Sequence, residues 1–271
     1  MPSNYKLLFT DVDETILPAG GQISDADRSF IEALTRRGIH VTVSSGRCRD
    51  MVYPIVKELG LDKDPEGLTL SQNGGHIFKN ATGETISTAP IETALVADLF
   101  LYAKEFGIRC RSYSENLVYF NHTDPAIEDF RKKYRCDCRL LSDPASQMTE
   151  PPIKFMVIDP DPARIHQYYQ NTLPLTGDIL RADFSSATAM EFTAKEVTKG
   201  SGLRKICEYY KIPVSEAVAI GDSGNDLTMI QTAGLGIAMY NALPVLKEHA
   251  DRITRLPCAQ SGFSDALSEI F

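Results

Sequence analysis

Acidic side chains follow two apolar runs of the sequence, at the points where each run ends. They are Asp11 and Asp13 after the run at 5–10, and Asp222 and Asp226 after the run at 217–220. A spacing of two sends the side chains of Asp11 and Asp13 to the same side of an extended chain, where one carboxylate can attack while its neighbour handles a proton. Four clustered carboxylates repel one another without a cation, and hard oxygen ligands together with phosphate suit Mg²⁺. The pattern therefore indicates a magnesium site.

Two further residues have properties that phosphoryl transfer needs, namely positive charge and hydrogen-bond donors around the phosphoryl oxygens. Ser45 ends another apolar run, and Lys199 lies in the segment Thr198-Lys199-Gly200-Ser201-Gly202, just before an amphipathic helical pattern. The glycines permit close approach of the backbone, and the amides at a helix start favour an anion. Both residues are therefore candidate phosphate ligands.

The elements that position these residues alternate along the first part of the chain. Residues 5–10 and 39–45 are typical of buried strands, the stretch 24–38 predicts a helix that begins after Ser24, and another helical pattern runs toward Leu59. Alternating strands and helices imply parallel pairing, and the ligand crevice of an open α/β sheet lies outside the carboxyl ends of its strands. We therefore expect the residues at the strand ends to converge on one edge of the sheet.

Residues 84–190 show a less regular alternation, which predicts an inserted α+β domain. The expected strands of this insertion are 108–113, 117–121, 153–158, 179–184 and 189–193, and its expected helices lie near 91–106, 125–134 and 161–171. The predicted organisation is a first core segment at 1–83, the insertion at 84–190 and a second core segment at 191–271.

Composition excludes several classes of protein. The chain has 271 residues, with 36 acidic and 28 basic side chains and a formal net charge of −8. That charge has the wrong sign for neutralising a nucleic-acid backbone. No stretch reaches the roughly 20 consecutive apolar residues that a bilayer requires, and the N-terminus lacks the apolar region of a signal peptide. We therefore expect a cytoplasmic protein that binds neither nucleic acid nor membranes.

The cysteines and histidines match no usual transition-metal pattern. Of the six cysteines only Cys136 and Cys138 lie close together, in a C-x-C spacing without a second pair, and the five histidines form no metal-ligand spacing. We expect reduced thiols, and neither a transition-metal site nor a redox role.

At the chemically suggestive residues, the sequence resembles the haloacid dehalogenase superfamily, and specifically its Cof-like sugar-phosphatase branch. The four motifs stand in order as Asp11-Val-Asp13-Glu-Thr15, Ser44-Ser45-Gly46-Arg47, Lys199-Gly200 and Gly221-Asp222-Ser-Gly-Asn225-Asp226. Ser71-Gln-Asn73-Gly-Gly75 and Met239-Tyr-Asn241-Ala242 also resemble that branch, so the resemblance spans essentially the whole chain. It implies an α/β protein with a Rossmann-like three-layer core, a mainly parallel sheet and an α+β cap inserted after the second motif.

The resemblance also implies roles for the four aspartates. Asp11 would be the nucleophile that forms an aspartyl-phosphate, and Asp13 the general acid and base. Asp11 and Asp222 would bind Mg²⁺ through their carboxylates, Asp13 would bind it through its backbone carbonyl, and Asp226 would support the metal.

The remaining candidates concern the substrate. The resemblance implies that Ser45, Lys199 and Asn225 hold the phosphoryl group. Arg47 and Asn73 are candidates for other substrate contacts.

The chain departs from the family pattern at two positions. The family usually has glycine where this chain has Glu14, and often threonine where it has Ser45. Glu14 adds negative charge near the nucleophile, whereas Ser45 keeps the hydroxyl that would meet the phosphate. We expect these departures to affect rate and substrate range rather than the class of reaction.

Together these features predict a Mg²⁺-dependent phosphomonoester hydrolase that acts on a small phosphorylated metabolite, with a sugar phosphate as the class implied by the resemblance. We expect a monomer or a weak homodimer. One alternative is a phosphomutase, which would return the phosphoryl group to another hydroxyl of its substrate. The other is a non-catalytic sensor of phosphorylated metabolites.

Overall fold

The described residues, 4–123 and 125–271 of this computed structural model, form two compact units. Unit 1 comprises the chain through Arg47 together with Val52–Ser87 and Thr198–Phe271. Unit 2 comprises Cys48–Met51 and Thr88–Val197. The domain limits predicted at 83/84 and 190/191 remain a prediction from sequence.

The described residues contain the strands β1 (Leu7–Thr10), β2 (His40–Ser44), β3 (Leu68–Ser71), β4 (His76–Lys79), β5 (Thr85–Thr88), β6 (Arg109–Tyr113), β7 (Leu117–Phe120), β8 (Asp137–Leu140), β9 (Lys154–Ile158), β10 (Leu180–Ser186), β11 (Ala189–Ala194), β12 (Ala217–Gly221), β13 (Leu235–Ala238) and β14 (Arg252–Ile253). The strands expected from sequence are all present, with ends shifted by at most two residues. Strands β3, β4, β5, β8, β13 and β14 lie outside the predicted strands.

The helices in the same part of the chain are α1 (Asp25–Arg36), α2 (Arg49–Glu58), α3 (Thr93–Phe106), α4 (Pro125–Tyr134), α5 (Pro144–Gln147), α6 (Pro162–Thr176), α7 (Lys199–Tyr210), α8 (Leu227–Thr232), α9 (Pro244–His249) and α10 (Gly262–Leu267). The Ser24 side chain accepts from the Asp27 N–H, so the predicted N-cap of α1 is confirmed. No helix among the described residues is both long enough and apolar enough to span a bilayer.

Unit 1 contains a sheet in the order β14-β13-β12-β1-β2-β3-β4-β5. The pairs from β14 to β3 are parallel, and β3 pairs with β4 in the antiparallel sense. Every residue of β1, β12 and β13 is buried, as expected for central strands that are covered on both faces. Helices α1 and α10 pack together, as do α7 and α8. The predicted α/β class with a mainly parallel sheet is confirmed.

The register of the central strands determines which residues meet at the sheet edge. Thr10, the last residue of β1, pairs with Val43 of β2 on one side and with Ile220 of β12 on the other. These three strands therefore end side by side. The residues that follow them, which include Asp11, are brought to one edge.

Unit 2 contains a sheet in the order β10-β11-β9-β6-β7-β8. Its pairs are antiparallel except for β7 with β8, which are parallel. One apolar cluster joins this sheet to α3 and α6, and a second cluster includes Tyr113, Phe120 and Met156 with Ile127 and Phe130 of α4. The α+β character expected for the insertion is confirmed.

Candidate active site

Three aspartates converge where β1 and β12 end. The Asp11 N–H donates to the Ile220 carbonyl across 3.0 Å, which continues the β1–β12 pairing by one residue. Carboxylate oxygens of Asp11, Asp222 and Asp226 lie within 4.8 Å of one another. Residues far apart in sequence thus form one acidic cluster in unit 1, as the positions of the strand ends predict for three of the four aspartates, whereas the side chain of Asp13 is not part of this group.

Lys199 is the buried cation of this cluster. Its Nζ donates to Asp11 Oδ1 at 2.5 Å and to Asp226 Oδ1 at 2.6 Å, and the residue is 1% exposed. Thr198 places it by capping α7, since the Thr198 side chain accepts from the Ser201 N–H at 2.9 Å. Burial lowers the pKa of Lys199, but the charges of Asp11 and Asp226 outweigh burial and hold this pKa above its usual value. Lys199 is therefore a fixed positive charge.

Asp226 is fully occupied by protein donors. Its Oδ2 accepts from the N–H groups of Asp222 and Ser223, each at 3.0 Å, while its Oδ1 accepts from Lys199. A Cβ at Gly221 would lie 2.6 Å from the Asp226 carboxyl carbon, so only glycine fits at that position. These contacts suit the supporting role predicted for Asp226, with Asp11 and Asp222 as the direct metal ligands.

The cluster carries more negative charge than one lysine neutralises. Burial, followed by the charge of Asp226, raises the pKa of Asp11 well above its usual value. The same two causes raise the pKa of Asp222 to about 7, even though the Thr15 hydroxyl donates to Asp222 Oδ1 at 3.1 Å. Carboxylate oxygens that repel one another in a buried site, with no sulfur or nitrogen ligand in the cluster, fit a hard divalent cation such as Mg²⁺.

The Asp222 pKa of about 7 predicts pH-dependent binding of Mg²⁺. A metal ligand must be deprotonated, so below pH 7 protons compete with the cation at Asp222. We expect Mg²⁺ affinity to fall as the pH drops below 7, at a rate that approaches about tenfold per pH unit, and Mg²⁺ binding at pH 7 to release protons. Calorimetric titration in buffers of different ionisation enthalpy measures both quantities.

A matched control for this titration is Asp13→Asn. The side chain of Asp13 is 57% exposed. Asp13 is predicted to bind the metal through its backbone carbonyl, which the substitution keeps. The variant should retain the pH dependence of Mg²⁺ affinity. An affinity that does not change between pH 5 and 8 in the unsubstituted protein would contradict the assignment of Asp222 as a ligand.

Asp13 forms an ion pair that the sequence did not predict. Arg47 Nε donates to Asp13 Oδ2 at 3.0 Å, and Arg47 Nη2 donates to Asp13 Oδ1 at 2.5 Å. The structure thus places Arg47 on the candidate acid and base. A partly exposed pair contributes at most about 1 kcal/mol, so an anionic substrate could compete for Arg47, and its role as a substrate contact remains a prediction.

Asn73, Asn225 and Ser45 are connected by hydrogen bonds. Asn225 Nδ2 donates to Asn73 Oδ1 at 3.0 Å, and the Asn73 N–H donates to the Ser45 carbonyl at 3.0 Å. Gln72 and Asn73 both adopt positive φ angles, 53° and 58°, a strained conformation that is concentrated at functional sites. Two residues predicted as phosphate ligands are therefore linked through Asn73, a contact that spacing alone could not reveal.

Two supporting residues were not among the predicted site residues. They are Thr15, whose hydroxyl donates to Asp222, and Asn241, whose Nδ2 donates to the Glu14 carbonyl at 2.8 Å. Both lie in segments that the sequence analysis identified for other reasons, at the end of the first motif and in the segment 239–242. Their positions within these two motifs are the sequence feature that could have identified them as site residues.

Glu14 occupies a backbone conformation that favours glycine. Its φ angle is 58°, and its carboxylate accepts from the Ala19 N–H at 2.6 Å. A non-glycine residue pays a steric cost in this left-handed region. The departure at position 14 therefore combines a side-chain hydrogen bond with backbone strain.

A pair of substitutions separates these two effects. Both Glu14→Gly and Glu14→Ala remove the carboxylate, but only alanine keeps the Cβ at positive φ. We expect Glu14→Ala to be less stable than Glu14→Gly by about 1 kcal/mol. Urea unfolding of the metal-free variants measures the difference in the free energy of unfolding. Equal unfolding midpoints, with an equal dependence of that free energy on urea concentration, would show that residue 14 is not strained.

The chain is similar in sequence and in fold to several known proteins. Residues 8–267 match the family model described as haloacid dehalogenase-like hydrolase. The putative phosphatase YxeH of Bacillus subtilis is 26% identical over 265 residues, which cover 93% of each chain. A haloacid dehalogenase-like hydrolase from Bacteroides thetaiotaomicron superposes with a TM-score of 0.88 at 26% identity, covering 98% of this chain and 100% of the other. The subclass IIB sugar phosphatase BT4131 shares the fold at 20% identity, with a TM-score of 0.81 and 97% and 98% coverage.

Proposed function

The chain belongs to the haloacid dehalogenase-like hydrolases and is a phosphatase, and we propose that it hydrolyses phosphomonoesters of small metabolites with Mg²⁺, through an aspartyl-phosphate on Asp11. The observation that carries the proposal is the buried contact of Lys199 with Asp11 and Asp226, beside Asp222. Such a cluster combines a nucleophile, a fixed cation and a metal-ligand set.

The first half of the proposed reaction transfers the phosphoryl group to the protein. A carboxylate oxygen of Asp11 attacks phosphorus, and the bond to the ester oxygen breaks. Asp13 gives a proton to that leaving oxygen. Lys199, Ser45 and Asn225 donate to the phosphoryl oxygens as charge develops on them.

The second half returns the group to water. Asp13, now ionised, takes a proton from a water molecule that attacks the phosphorus of the aspartyl-phosphate, and Asp11 leaves as a carboxylate. Inorganic phosphate is the product. When held by Asp11 and Asp222, Mg²⁺ would supply additional positive charge near the phosphoryl oxygens.

We propose a sugar phosphate as the substrate class, on the motif resemblance to the Cof-like branch. A panel of phosphorylated metabolites, assayed for released inorganic phosphate with Mg²⁺ and with a chelator, tests this proposal. Phosphate released only with Mg²⁺, and most rapidly from sugar phosphates, is the expected result.

Other outcomes of the same panel would overturn the proposal. Conversion of a substrate into an isomer without free phosphate would identify a phosphomutase. Ligand-induced thermal stabilisation without turnover of any compound would identify a sensor. Rapid release from a different class of phosphoester would preserve the phosphatase assignment and reject sugar phosphates.

A further inference from the structure

Two cysteine thiols at the edge of unit 2 take no part in the phosphatase chemistry. Cys136 lies just before β8 and Cys138 within it, and β8 is the edge strand of the six-stranded sheet. Their Sγ atoms are 3.7 Å apart. All six cysteines are in the described residues, and only Cys138 is partly exposed. The pair therefore combines an accessible thiol with a buried one.

The spacing of the two residues is compatible with a bond between them. Residues two apart in an extended segment have Cα atoms separated by about 6.6 Å, and disulfides tolerate separations up to about 6.8 Å. A bond also needs the Cβ atoms to lie within about 4.5 Å of each other, so closing the sulfur atoms from 3.7 Å to roughly 2 Å calls for a local bend of the backbone at 136–138 as well as side-chain rotation. An edge strand is paired on one side only, which leaves it room to adjust.

The two thiols differ in acidity. The hydrogen bond with Cys136 lowers the pKa of Cys138, and the nearby charge of Arg131 acts in the same direction. The same hydrogen bond, followed by burial, raises the pKa of Cys136. Because the thiolate is the nucleophile, Cys138 is suited to attack an external disulfide first. Cys136 is suited to attack the resulting mixed disulfide in the second step.

A cavity of about 320 Å³ opens beside Cys138. Its lining combines the apolar side chains of Phe120 and Leu140 with the cations Arg131 and Arg139 and the anion Glu128. Arg131 pairs with Glu128 at 3.3 Å, and Arg139 Nη1 donates to the Thr149 hydroxyl at 2.9 Å. This volume suits a small molecule, and the two arginines favour one that carries carboxylates.

We propose that Cys136 and Cys138 form a thiol–disulfide exchange site for low-molecular-weight disulfides that carry carboxylates. The Cys138 thiolate attacks one sulfur of the small disulfide, whose S–S bond breaks and releases one thiolate. The Cys136 thiol then loses its proton to solvent and attacks Cys138 Sγ. An intramolecular disulfide forms, and the second small thiol leaves. The protein gives up two electrons, and the small disulfide is reduced to two thiols.

The test uses the folded full-length protein and dithiobis(nitrobenzoate), an anionic disulfide that releases a coloured thiolate. The unsubstituted protein should release two equivalents rapidly, keep no adduct and lose the mass of two hydrogens. Cys136→Ala should release one equivalent and retain the adduct, at a lower rate than the unsubstituted protein because the hydrogen bond that lowers the pKa of Cys138 is lost. Cys138→Ser should lose the rapid phase, with a rate at least about tenfold lower.

Two controls keep the experiment decisive. Cys207→Ser changes a buried thiol of unit 1 and should leave the rapid phase unchanged. Arg131→Gln should slow the reaction with the anionic reagent more than the reaction with neutral dithiodipyridine, because only the anionic reagent loses an ion-pair partner as well as thiolate. Thermal unfolding verifies that each variant is folded. A rapid phase that survives in Cys138→Ser, or a stable adduct on the unsubstituted protein, would overturn the proposal.

Discussion

Replacing Asp11 with asparagine is expected to reduce Mg²⁺-dependent hydrolysis of an aryl phosphate by at least about a thousandfold. Asparagine has nearly the same shape as aspartate, and its amide oxygen can still accept from Lys199 Nζ, which lies 2.5 Å from Asp11 Oδ1. An amide oxygen, however, does not form an acyl phosphate in place of the carboxylate. The loss therefore reports on chemistry rather than on folding.

The variant Asp13→Asn is the matched comparison, because it removes the other carboxylate of the same motif. Aryl phosphates have a good leaving group that needs little help from an acid, so phosphorylation of Asp11 should continue in this variant. Hydrolysis of the aspartyl-phosphate should slow, because the base proposed to activate water is missing. Acid quenching with phosphate-labelled substrate should then show labelled protein for Asp13→Asn and none for Asp11→Asn. Label on Asp11→Asn, or its turnover at the unsubstituted rate, would show that the nucleophile is a different residue.

The free energy of unfolding of the Asp11→Asn variant provides a test that is independent of activity. The pKa of Asp11 is raised in the folded protein, so the unfolded chain binds fewer protons and ionisation of Asp11 destabilises the fold as pH rises above the unfolded value near 4. The asparagine variant lacks this cost. Without metal, it should therefore gain stability relative to the unsubstituted protein between pH 4 and 8, measured by urea unfolding.

Strand ends explain why much of the acidic cluster could be predicted from sequence. An apolar run that stops at charged residues indicates a buried strand with polar groups at its end, and parallel strands present their carboxyl ends at one edge. Asp11 and Asp222 follow β1 and β12, which are neighbours in the sheet. The topology therefore determines that these residues meet, without any knowledge of side-chain positions.

Contacts that depend on side-chain direction could not be obtained in this way. The pair between Arg47 and Asp13 joins two loops, and the amide contact between Asn73 and Asn225 depends on a left-handed backbone at residue 73. Neither has a signature in spacing. Strand β8 was missed for a different reason, since its sequence Asp-Cys-Arg-Leu has only four residues, too few for its alternation of polar and apolar side chains to stand out.

Replacing Lys199 with methionine should both destabilise the protein and remove most of its activity. Methionine keeps the length and apolar stem of the side chain but removes the cation that contacts Asp11 and Asp226. Breaking a buried ion pair by removing one partner costs about 3–5 kcal/mol, because the remaining charge is uncompensated. Activity should fall at least about a hundredfold, since Lys199 is also a proposed donor to the phosphoryl oxygens.

The stability loss should depend on pH in a defined direction. The raised pKa of Lys199 keeps it charged throughout pH 5–9, so the dependence comes from the carboxyl groups. The pKa values of Asp11 and Asp222 are both raised, that of Asp222 to about 7, so these carboxylates take up protons as the pH falls toward 5. The missing cation then matters less, and the cost of Lys199→Met should shrink toward pH 5. Added Mg²⁺ should reduce the cost at pH 8 by restoring positive charge.

A double-mutant cycle tests whether the cost arises from the cluster. Asp11→Asn removes one of the carboxylates that Lys199 neutralises, so Lys199→Met should cost less stability in that background than alone. Lys205→Met is the matched control, because Lys205 is an exposed lysine of the same helix, α7. Equal losses for the two lysine variants, or additive effects of Lys199→Met and Asp11→Asn, would show that Lys199 does not neutralise these aspartates. A loss confined to Lys199→Met and relieved by Asp11→Asn would locate the buried charge balance at the proposed nucleophile itself.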